Sequence, residues 1–381
     1  MPDEPPILSK AASPQSSLSP TVSEERIHKL RLKLERVERI LIIRLRSMGD
    51  SILALPLVEA LHEWRPDLQI DVLMESPYGC LFSRHPAVHE ALSVKPRDSL
   101  AQHGWSRSRA YLEIRKRRYS AVVNLHGGST SLLFTLASGA GIRIGQQKYR
   151  QAWAYNALIP NPRTVWQRMD LHTVEDQLTL LRWLDLPIPA RPRGRLYLDD
   201  HARMGINDRL HAAGIVPARY ILIHPTATMR TKQWPERNFA ALADRLHALC
   251  GLPVIFSSAP REAQVLLDIG RHAKIGHRYW SDLGLDDLLA LIDGCLLFIG
   301  NDSGPTHAAA ALGRPLVVVW GSSDFEVWHP WETEYEVVRQ ELLCMPCPGH
   351  NCAVYGAPKC INDIPVDRVF NATTCFLSTE Y

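Results

Sequence analysis

The sequence predicts an α/β protein with two hydrophobic cores, each built on a parallel β-sheet, and three observations support this class. The chain has 381 residues, 46% of them hydrophobic, and a single core of that size would be unusual. Short apolar runs typical of buried strands alternate with segments that have helical spacing. Several of these runs end in turns rich in glycine, proline and hydroxyl residues, which is the pattern of strand–turn–helix–strand units.

The overall charge disfavours a protein that binds nucleic acid through bulk charge. Lysine and arginine total 43 against 40 aspartate and glutamate, a net charge of +3, so we expect no nucleic-acid partner. No stretch approaches the roughly 20 apolar residues that a membrane-spanning helix needs. Residues 1–25 lack the basic start and apolar centre of a signal peptide. We therefore expect a cytoplasmic protein, whose cysteines stay reduced.

Composition also predicts the domain organisation. Residues 1–38 read as a disordered Pro/Ser-rich tail followed by a short basic helix. The polar face of that helix either is solvated or contacts a membrane surface. A first α/β domain is expected over 39–190 and a second over 191–365, with the Pro-rich PIPARPRGRL as the linker. A last helix is expected within 366–381.

The first strand–turn–helix unit contains the main catalytic candidate. ILIIRL is a strand, RSMGD is the turn, and a helix starts near Ser51. The turn lies where ligands bind to parallel sheets, and Asp50 within it can act there as a general base. It can equally serve as a helix-capping carboxylate. GxGxxG is missing from the turn, so a dinucleotide-binding site is poorly supported.

Cations and one histidine of the first domain are candidates for binding an acidic acceptor. Arg46 lies in the first turn. A run of four cations precedes the strand SAVVNLHG, and it is either a solvated helix end or a phosphate-binding cluster that faces the cleft; it comprises Arg115, Lys116, Arg117 and Arg118. His126 follows that strand and either lines the acceptor side or makes structural hydrogen bonds.

In the second domain, polar residues follow two strands in a pattern that suits a diphosphate and a ribose. After the strand near 220–224 come Thr226, Thr228 and Lys232, whose hydroxyls and ammonium group complement diphosphate oxygens. A loop with a capping residue is the alternative. The segment PVIFSSAPREAQ places Glu262 at a further strand end, where it could meet ribose hydroxyls.

Residues 296–320, LLFIGNDSGPTHAAAALGRPLVVVW, form the clearest strand–turn–helix–strand unit. The turn ends at Thr306, and a helix that starts there points free N–H groups and its positive dipole end outward, which suits an anion. Gly304 permits close approach of a phosphate, and Pro305 fits the first helical turn. Asp302 or Ser303 can cap the helix or bind sugar hydroxyls. An ordinary capped crossover would give the same pattern.

Four cysteines near the carboxyl terminus have a spacing typical of metal sites. They form C-x2-C-x4-C-x7-C with His350 between them, and they are Cys344, Cys347, Cys352 and Cys360. Structural zinc and iron–sulfur centres both use such spacings, although these loops are short for common zinc modules. Free thiols without a metal remain the alternative.

Together, IRLRSMGDSILALPLVEALHEW, NLHGG, HPTATMRTKQWPERNF and GNDSGPTHAAAALGRPLVVVWGSSD resemble the bacterial heptosyltransferases of glycosyltransferase family 9, enzymes of lipopolysaccharide inner-core assembly. The resemblance extends from about residue 40 to near the carboxyl terminus. It implies a GT-B fold, in which two Rossmann-like domains face each other across a cleft. The acceptor would bind mainly to the first domain and an ADP-sugar to the second. A final helix would cross back to the first domain.

The resemblance also implies roles for single residues. Asp50, in the S-x-G-D position, would be the general base, and Lys232, in the K-x-W-P position, would hold donor phosphates with Thr228 beside it. Asp302, in the G-x-D-S-G-P-x-H motif, would contact the donor. The amides of 303–307 and the side chain of His307 would face the diphosphate.

The implied reaction inverts the anomeric carbon, expels ADP and requires no cofactor. Its partners would be an ADP-sugar donor and an anionic glycolipid acceptor, with peripheral contact at the inner membrane. HPTAT and SSAP depart from the sequences common in the family, so the donor need not be ADP-heptose. Two other classes remain open, namely a GT-B type sugar-nucleotide epimerase and a non-catalytic nucleotide- or metal-binding module.

Overall fold

The computed structural model of the protein describes residues 22–96, 104–347 and 349–377. Most of the predicted amino-terminal tail therefore lies outside the described residues. The basic helix expected behind it is α1, Val22–Leu34. Within the described ranges, no helix is both long and apolar enough to cross a membrane.

The first unit is a six-stranded, fully parallel sheet in the order β3-β2-β1-β4-β5-β6. Its strands are β1 Arg39–Ile43, β2 Gln69–Glu75, β3 Glu90–Val94, β4 Ala121–Asn124, β5 Ile142–Gln146 and β6 Ala157–Ile159. Its helices are α2 Met48–Ile52, α3 Leu55–Trp64, α4 Cys80–Ser83, α5 Arg107–Lys116, α6 Ser129–Ser138, α7 Pro162–Trp166 and α8 Thr173–Trp183, with a 3-10 turn η1 at Ala152–Ala154. The central strands are buried on both faces, which explains their continuous apolar sequences.

The second unit repeats this topology with the order β12-β11-β10-β7-β8-β9. Its strands are β7 Ile221–His224, β8 Val254–Ser257, β9 Arg278–Trp280, β10 Leu297–Asn301, β11 Leu316–Trp320 and β12 Tyr335–Arg339. Its helices are α9 Asp200–Ala212, α10 Glu236–Cys250, α11 Ala263–His272, α12 Leu285–Asp293, α13 Gly304–Ala311, α14 Phe325–Trp328, α15 Lys359–Asn362 and α16 Val366–Leu377, with 3-10 turns η2 at Arg230–Lys232 and η3 at Pro260–Glu262. The predicted two-sheet α/β architecture is confirmed.

Each sheet has one point where the direction of its strand order reverses. This switch point lies between β1 and β4 in the first sheet and between β7 and β10 in the second. Connections leave such a pair of strands toward opposite faces of the sheet, which opens a crevice at their carboxyl ends where ligands bind. The predicted site residues after β1, β7 and β10 therefore lie at the two crevices.

The two crevices meet across the boundary between the units. Helix α2 packs directly on α13. A Cβ placed on Gly49 would lie 2.7 Å from Cδ2 of His307, and one placed on Gly304 would lie 2.9 Å from Cβ of Met48. Glycine at both positions therefore lets the turn after β1 approach the start of α13 more closely than any other residue would.

The final helix forms where it was expected but packs elsewhere. Helix α16 contacts α10, β11 and β12 of the second unit, and Val369 and Leu377 are buried in that unit's core. The segment before it is held there too, since Trp234 Nε1 donates to the carbonyl of Ile364 at 2.9 Å. The prediction that this helix crosses back to the first domain is wrong. The boundary at 190/191 falls in the 184–199 connection between α8 and α9, and its position there stays a prediction.

Candidate active site

Asp50 is the third residue of α2 and faces the cleft. Its Oδ2 accepts hydrogen bonds from the N–H and the hydroxyl of Ser47, at 3.1 and 3.0 Å. Its Oδ1 is ion-paired with Arg44, whose guanidinium also donates to the carbonyl of Leu125. The side chain is 22% exposed. Asp50 therefore caps its helix and also presents a fixed carboxylate to the cleft, so the two interpretations of the sequence are compatible.

A cavity of about 960 Å³ opens beside Asp50 on the first unit and extends to α14 of the second. His126, which follows β4, lines this cavity with Arg44. Burial lowers the pKa of His126, and the charges of Arg44 and Arg46 lower it further. The imidazole is therefore neutral near pH 7. The structure brings together Asp50, Arg46 and His126, and their role in binding an acceptor stays a prediction.

The basic cluster at the end of α5 is not part of this cavity. The four residues directly precede β4, so they lie at the amino-terminal edge of the sheet, opposite the edge that carries Asp50. Arg117 is ion-paired with Glu90, and Arg115 lies against Gly139 at the far end of α6. The hypothesis that Arg115, Lys116, Arg117 and Arg118 face the cleft is therefore not supported. Their position before β4, and not their charge, determines which edge of the sheet they join.

On the second unit, an ion pair joins the segments that follow β7 and β10. Lys232 Nζ lies 2.6 Å from Oδ2 of Asp302, and the hydroxyl of Ser323 donates to the same oxygen. The Asp302 side chain is only 4% exposed and that of Lys232 16%. The two residues predicted to contact the donor are thus held together, and Lys232 reaches the cleft with its position set by a buried partner.

Thr226 and Glu262 are also brought together. The hydroxyl of Thr226 donates to Oε2 of Glu262 at 2.9 Å and lies 3.1 Å from Nε2 of His224. On its other side, His224 Nδ1 lies 3.1 Å from the hydroxyl of Ser257. Thr228 is exposed on the same loop. This row of polar groups links the ends of β7 and β8, as predicted from their strand positions.

The buried histidines make stability depend on pH. Burial lowers the pKa of His224 to about 4 and that of His172 to about 3, against about 6.5 in an unfolded chain. Below pH 6.5 the unfolded chain therefore binds more protons, and stability falls as the pH falls toward 4. Each histidine should cost roughly 2 kcal/mol between pH 7 and pH 5. Urea unfolding at a series of pH values measures this slope. His224→Gln should reduce the slope, and an unchanged free energy of unfolding over this range would contradict the assignment.

The start of α13 has unused polar atoms. The N–H groups of Thr306 and His307 already donate to the carbonyl of Ser303, at 3.2 and 3.4 Å. Of the backbone amides predicted to face the diphosphate, those of Ser303 and Gly304 therefore remain as donors for an anion. Pro305 occupies the first helical turn, as expected. Among the described residues, the buried Oγ of Ser303 and Nδ1 of His307 have no hydrogen-bond partner. Buried polar atoms are seldom left unpaired, so these two suit a ligand.

His307 connects the two halves of the site. Its Nε2 lies 3.9 Å from Oδ1 of Asp302, and its ring contacts the Gly49 side of the first unit. Burial is the largest effect on its pKa and lowers it, while the carboxylates of Asp302 and Asp50 oppose that shift. The ring is therefore a neutral group between the general-base candidate and the ion pair.

Two residues of the site were missed from the sequence. Ser323 follows β11 and supports Asp302; its position after a buried strand, in GSSD, was a usable signal. Gln177 lies on α8 and lines the large cavity. A polar residue within a helical pattern gives no indication of its own that it points into a cavity.

The four carboxyl-terminal cysteines surround a second cavity of about 230 Å³. Burial and the proximity of the other three thiols raise the pKa of Cys360 to about 11. No three of their sulfur atoms lie within 4.8 Å of one another; in the described part of the chain only Asp71, His89 and Glu90 form such a group. The cysteine segment braces η2, because the hydroxyl of Thr231 donates to the carbonyl of Gly349 at 2.7 Å.

Comparison with known proteins agrees with this geometry. The sequence model for glycosyltransferase family 9 (heptosyltransferase) matches residues 107–357, well over half of the chain. Lipopolysaccharide heptosyltransferase 3 from Escherichia coli is 28% identical over 305 residues, which cover 75% of this chain and 84% of that protein.

Two solved structures share the fold. A family 9 glycosyltransferase from Veillonella parvula superposes with a TM-score of 0.77 at 20% identity, covering 90% of this chain and 97% of that chain. The E. coli heptosyltransferase WaaC with ADP-2-deoxy-2-fluoro heptose superposes with a TM-score of 0.64 at 20% identity, covering 90% and 100%. The GT-B fold expected from the resemblance is confirmed, and the chain is a glycosyltransferase that belongs to glycosyltransferase family 9.

Proposed function

We propose that this protein is an inverting glycosyltransferase that moves a heptose or similar sugar from an ADP-sugar to a lipopolysaccharide core or a related glycan. One juxtaposition carries the proposal. The carboxylate-bearing turn after β1 packs on the start of α13, beside the Lys232–Asp302 pair. A base for an acceptor hydroxyl and a binding site for a donor diphosphate therefore face each other over a short distance.

Asp50 acts on the acceptor in this proposal. Its carboxylate takes the proton of the attacking hydroxyl, which raises the nucleophilicity of that oxygen as the new bond forms. Arg44 fixes the carboxylate through Oδ1 and Ser47 fixes it through Oδ2. Because these contacts are formed in the free protein, the base does not have to reorganise when the acceptor binds.

The second unit holds the leaving group. As the bond between the anomeric carbon and the ADP oxygen breaks, negative charge grows on the diphosphate while the sugar becomes oxocarbenium-like. The ammonium of Lys232, the hydroxyl of Ser303 and the amides at the start of α13 are the donors available to that charge. Every charge that develops meets a group of this chain, so no step is assigned to a cofactor. Attack from the face opposite the leaving group inverts the anomeric carbon.

We also propose a donor nucleotide and a cellular location for this enzyme. WaaC carries an ADP-heptose analogue in its structure. In this proposal the Thr226 hydroxyl serves the diphosphate and the Glu262 carboxylate, hydrogen-bonded to it, serves the ribose hydroxyls. The E. coli relative is named for lipopolysaccharide. An acceptor of that kind would bring the enzyme to the cytoplasmic face of the inner membrane as a peripheral protein.

Calorimetric titration with ADP-heptose, ADP and a panel of UDP-sugars tests the donor. We expect ADP-heptose and ADP to bind and the UDP-sugars to bind far more weakly. UDP preference, together with conversion of a free UDP-sugar in the absence of acceptor, would instead indicate the epimerase. Binding of ADP-heptose without any turnover, with acceptor present, would indicate the non-catalytic module.

We also propose that Cys344, Cys347, Cys352 and Cys360 hold a structural zinc ion or an iron–sulfur cluster. The support is their spacing and their position around one cavity. Ligation at about 2.3 Å per sulfur requires the thiolates to draw together, which would tighten the segment that braces Thr231 beside Lys232. The ion would be structural, since it lies behind η2 and not in the cleft.

Elemental analysis of the purified protein tests this metal site. We expect about one zinc, or about two to four irons as an iron–sulfur cluster, per chain. The metal should be lost in Cys347→Ser and retained in Cys375→Ser, whose thiol is exposed on α16. Since bound metal stabilises the folded chain, a chelator should lower the melting temperature of the wild type and of Cys375→Ser but not of Cys347→Ser. Wild-type protein purified without chelator and found free of metal would overturn the proposal.

A further inference from the structure

We infer that the acceptor presents a neutral, polyhydroxylated sugar beside Asp50, and that Gln177 recognises it. This inference rests on the proposed function, and it replaces the expectation of an anionic group at this position. Three features of the 960 Å³ cavity carry it, namely the charge of its walls, the pairing of its cations and an unpartnered buried carboxamide.

The walls of the cavity carry more negative than positive groups. Five carboxylates line it: Asp50, Asp170, Asp176, Asp324 and Glu326. Among the described residues, three cations line it: Arg44, Lys148 and Arg163. Asp50 and Asp176 are paired with Arg44 and Lys148, and Asp170 is paired with Arg168. The negative surplus therefore rests on Asp324 and Glu326, and a phosphate or carboxylate on the acceptor would be repelled beside these two.

Two of the three cations are also already engaged. Arg44 is ion-paired with Asp50, and Lys148 Nζ lies 3.6 Å from Oδ1 of Asp176. Arg163 is exposed at the rim, on α7. His126 is neutral near pH 7 because burial lowers its pKa. The described residues that line the cavity beside Asp50 therefore offer little uncompensated positive charge to an anionic group. Arg46 does not line the cavity, although its charge reaches His126.

Gln177 is the most unusual polar group of the wall. It lies on α8 and is 4% exposed, yet among the described residues neither Nε2 nor Oε1 has a hydrogen-bond partner. Gln146, which also lines the cavity, directs its Nε2 to Asp176 Oδ2 at 3.0 Å. A buried amide left unpaired is costly in a folded protein, so a partner arriving with the substrate is the simplest explanation.

A sugar ring supplies that partner. A carboxamide offers two N–H donors and one oxygen acceptor side by side, which matches two adjacent hydroxyl groups. The surplus carboxylates of the wall accept hydrogen bonds from further hydroxyls without needing a counter-charge. A polyol therefore satisfies both features of the wall, whereas a phosphate group has no donor for the carboxylates and adds like charge beside them.

The variant Gln177→Met tests the role of the carboxamide, because methionine has a similar length and no hydrogen-bonding groups. We expect KM for the acceptor to rise roughly 10-fold, with the affinity for ADP-heptose unchanged. The melting temperature should stay equal or increase, because an unpaired polar group has been removed. Gln264→Met, on the exposed face of α11, is the matched control and should change none of the three. An unchanged acceptor KM in Gln177→Met would show that only water or nothing pairs the amide.

The charge argument is tested with two core oligosaccharides that differ in one group. One ends in a neutral heptose, and the other carries a phosphate on that same heptose. We expect the neutral one to be the better acceptor by at least roughly 10-fold in kcat/KM. Equal use or preference for the phosphorylated one would overturn the inference. Failure of ADP-heptose to bind would instead overturn the proposed function, since donor binding involves no residue of this cavity wall.

Discussion

Replacing Asp50 with asparagine is expected to lower kcat by about 10²- to 10⁴-fold, the range typical of a lost general base. Asparagine keeps an oxygen that can accept from the N–H of Ser47, so the cap of α2 should survive. The amide can no longer accept the proton of the attacking hydroxyl. ADP-heptose affinity should change little, because the donor groups lie on the second unit. Steady-state transfer rates and donor calorimetry on the same preparation measure the two effects separately.

Asp176→Asn is the matched control for this variant. It removes a carboxylate from the same cavity, so it alters the local charge by the same amount without touching the proposed base. Its kcat should fall far less than that of Asp50→Asn. If Asp50→Asn turned over at the wild-type rate, the assigned mechanism would be wrong, whatever the donor and acceptor are.

Removing the ammonium of Lys232 should weaken both the donor site and the fold. In Lys232→Met, the carboxylate of Asp302 stays buried at 4% exposure without its cation, although Ser323 still donates to it. Breaking a buried pair in this way typically costs about 3 to 5 kcal/mol of stability. The loss of a charge-assisted contact to the diphosphate should reduce ADP-heptose affinity by roughly 10- to 100-fold.

The double variant Lys232→Met with Asp302→Asn separates these effects. It removes both charges, so most of the lost stability should return, while donor affinity should stay low. Urea unfolding and calorimetry on the two variants and the wild type give the comparison. Recovery of donor binding in the double variant would mean that Lys232 acts only by neutralising Asp302, and the phosphate contact would have to be withdrawn.

The positions of Asp50, Lys232 and Asp302 could be predicted because parallel sheets collect their strand ends at one edge. Each residue follows a buried apolar run, and the periodicity that identifies the run also locates the residue. What such a pattern leaves open is pairing: nothing in the sequence shows that Lys232 and Asp302 form an ion pair with Ser323 beside them. That contact depends on β7 and β10 being neighbours.

The two predictions that the structure contradicts concern which part of the fold an element faces. The face formed by Val369 and Leu377 indicates that the last helix is packed, but it does not identify the partner, which proved to be α10 and the edge of the second sheet. The charge of the basic cluster that ends at Arg118 likewise does not identify what the cluster faces. Its position before β4, however, was already a sign that it lies at the amino-terminal edge of the sheet. Gln177 could not be identified from the sequence. It stands out because its buried carboxamide has no hydrogen-bond partner among the described residues, which its residue type does not reveal.

The most direct test of the account is the anomeric configuration of the linkage made from β-configured ADP-heptose and a core oligosaccharide, read from one-bond carbon–proton couplings by NMR. The account predicts an α-linked heptose as the product, because Asp50 and the diphosphate-binding groups lie on opposite sides of the cleft and impose attack from the rear. A β-linked product, formed with retention, would contradict that arrangement and with it the roles assigned to Asp50 and Lys232.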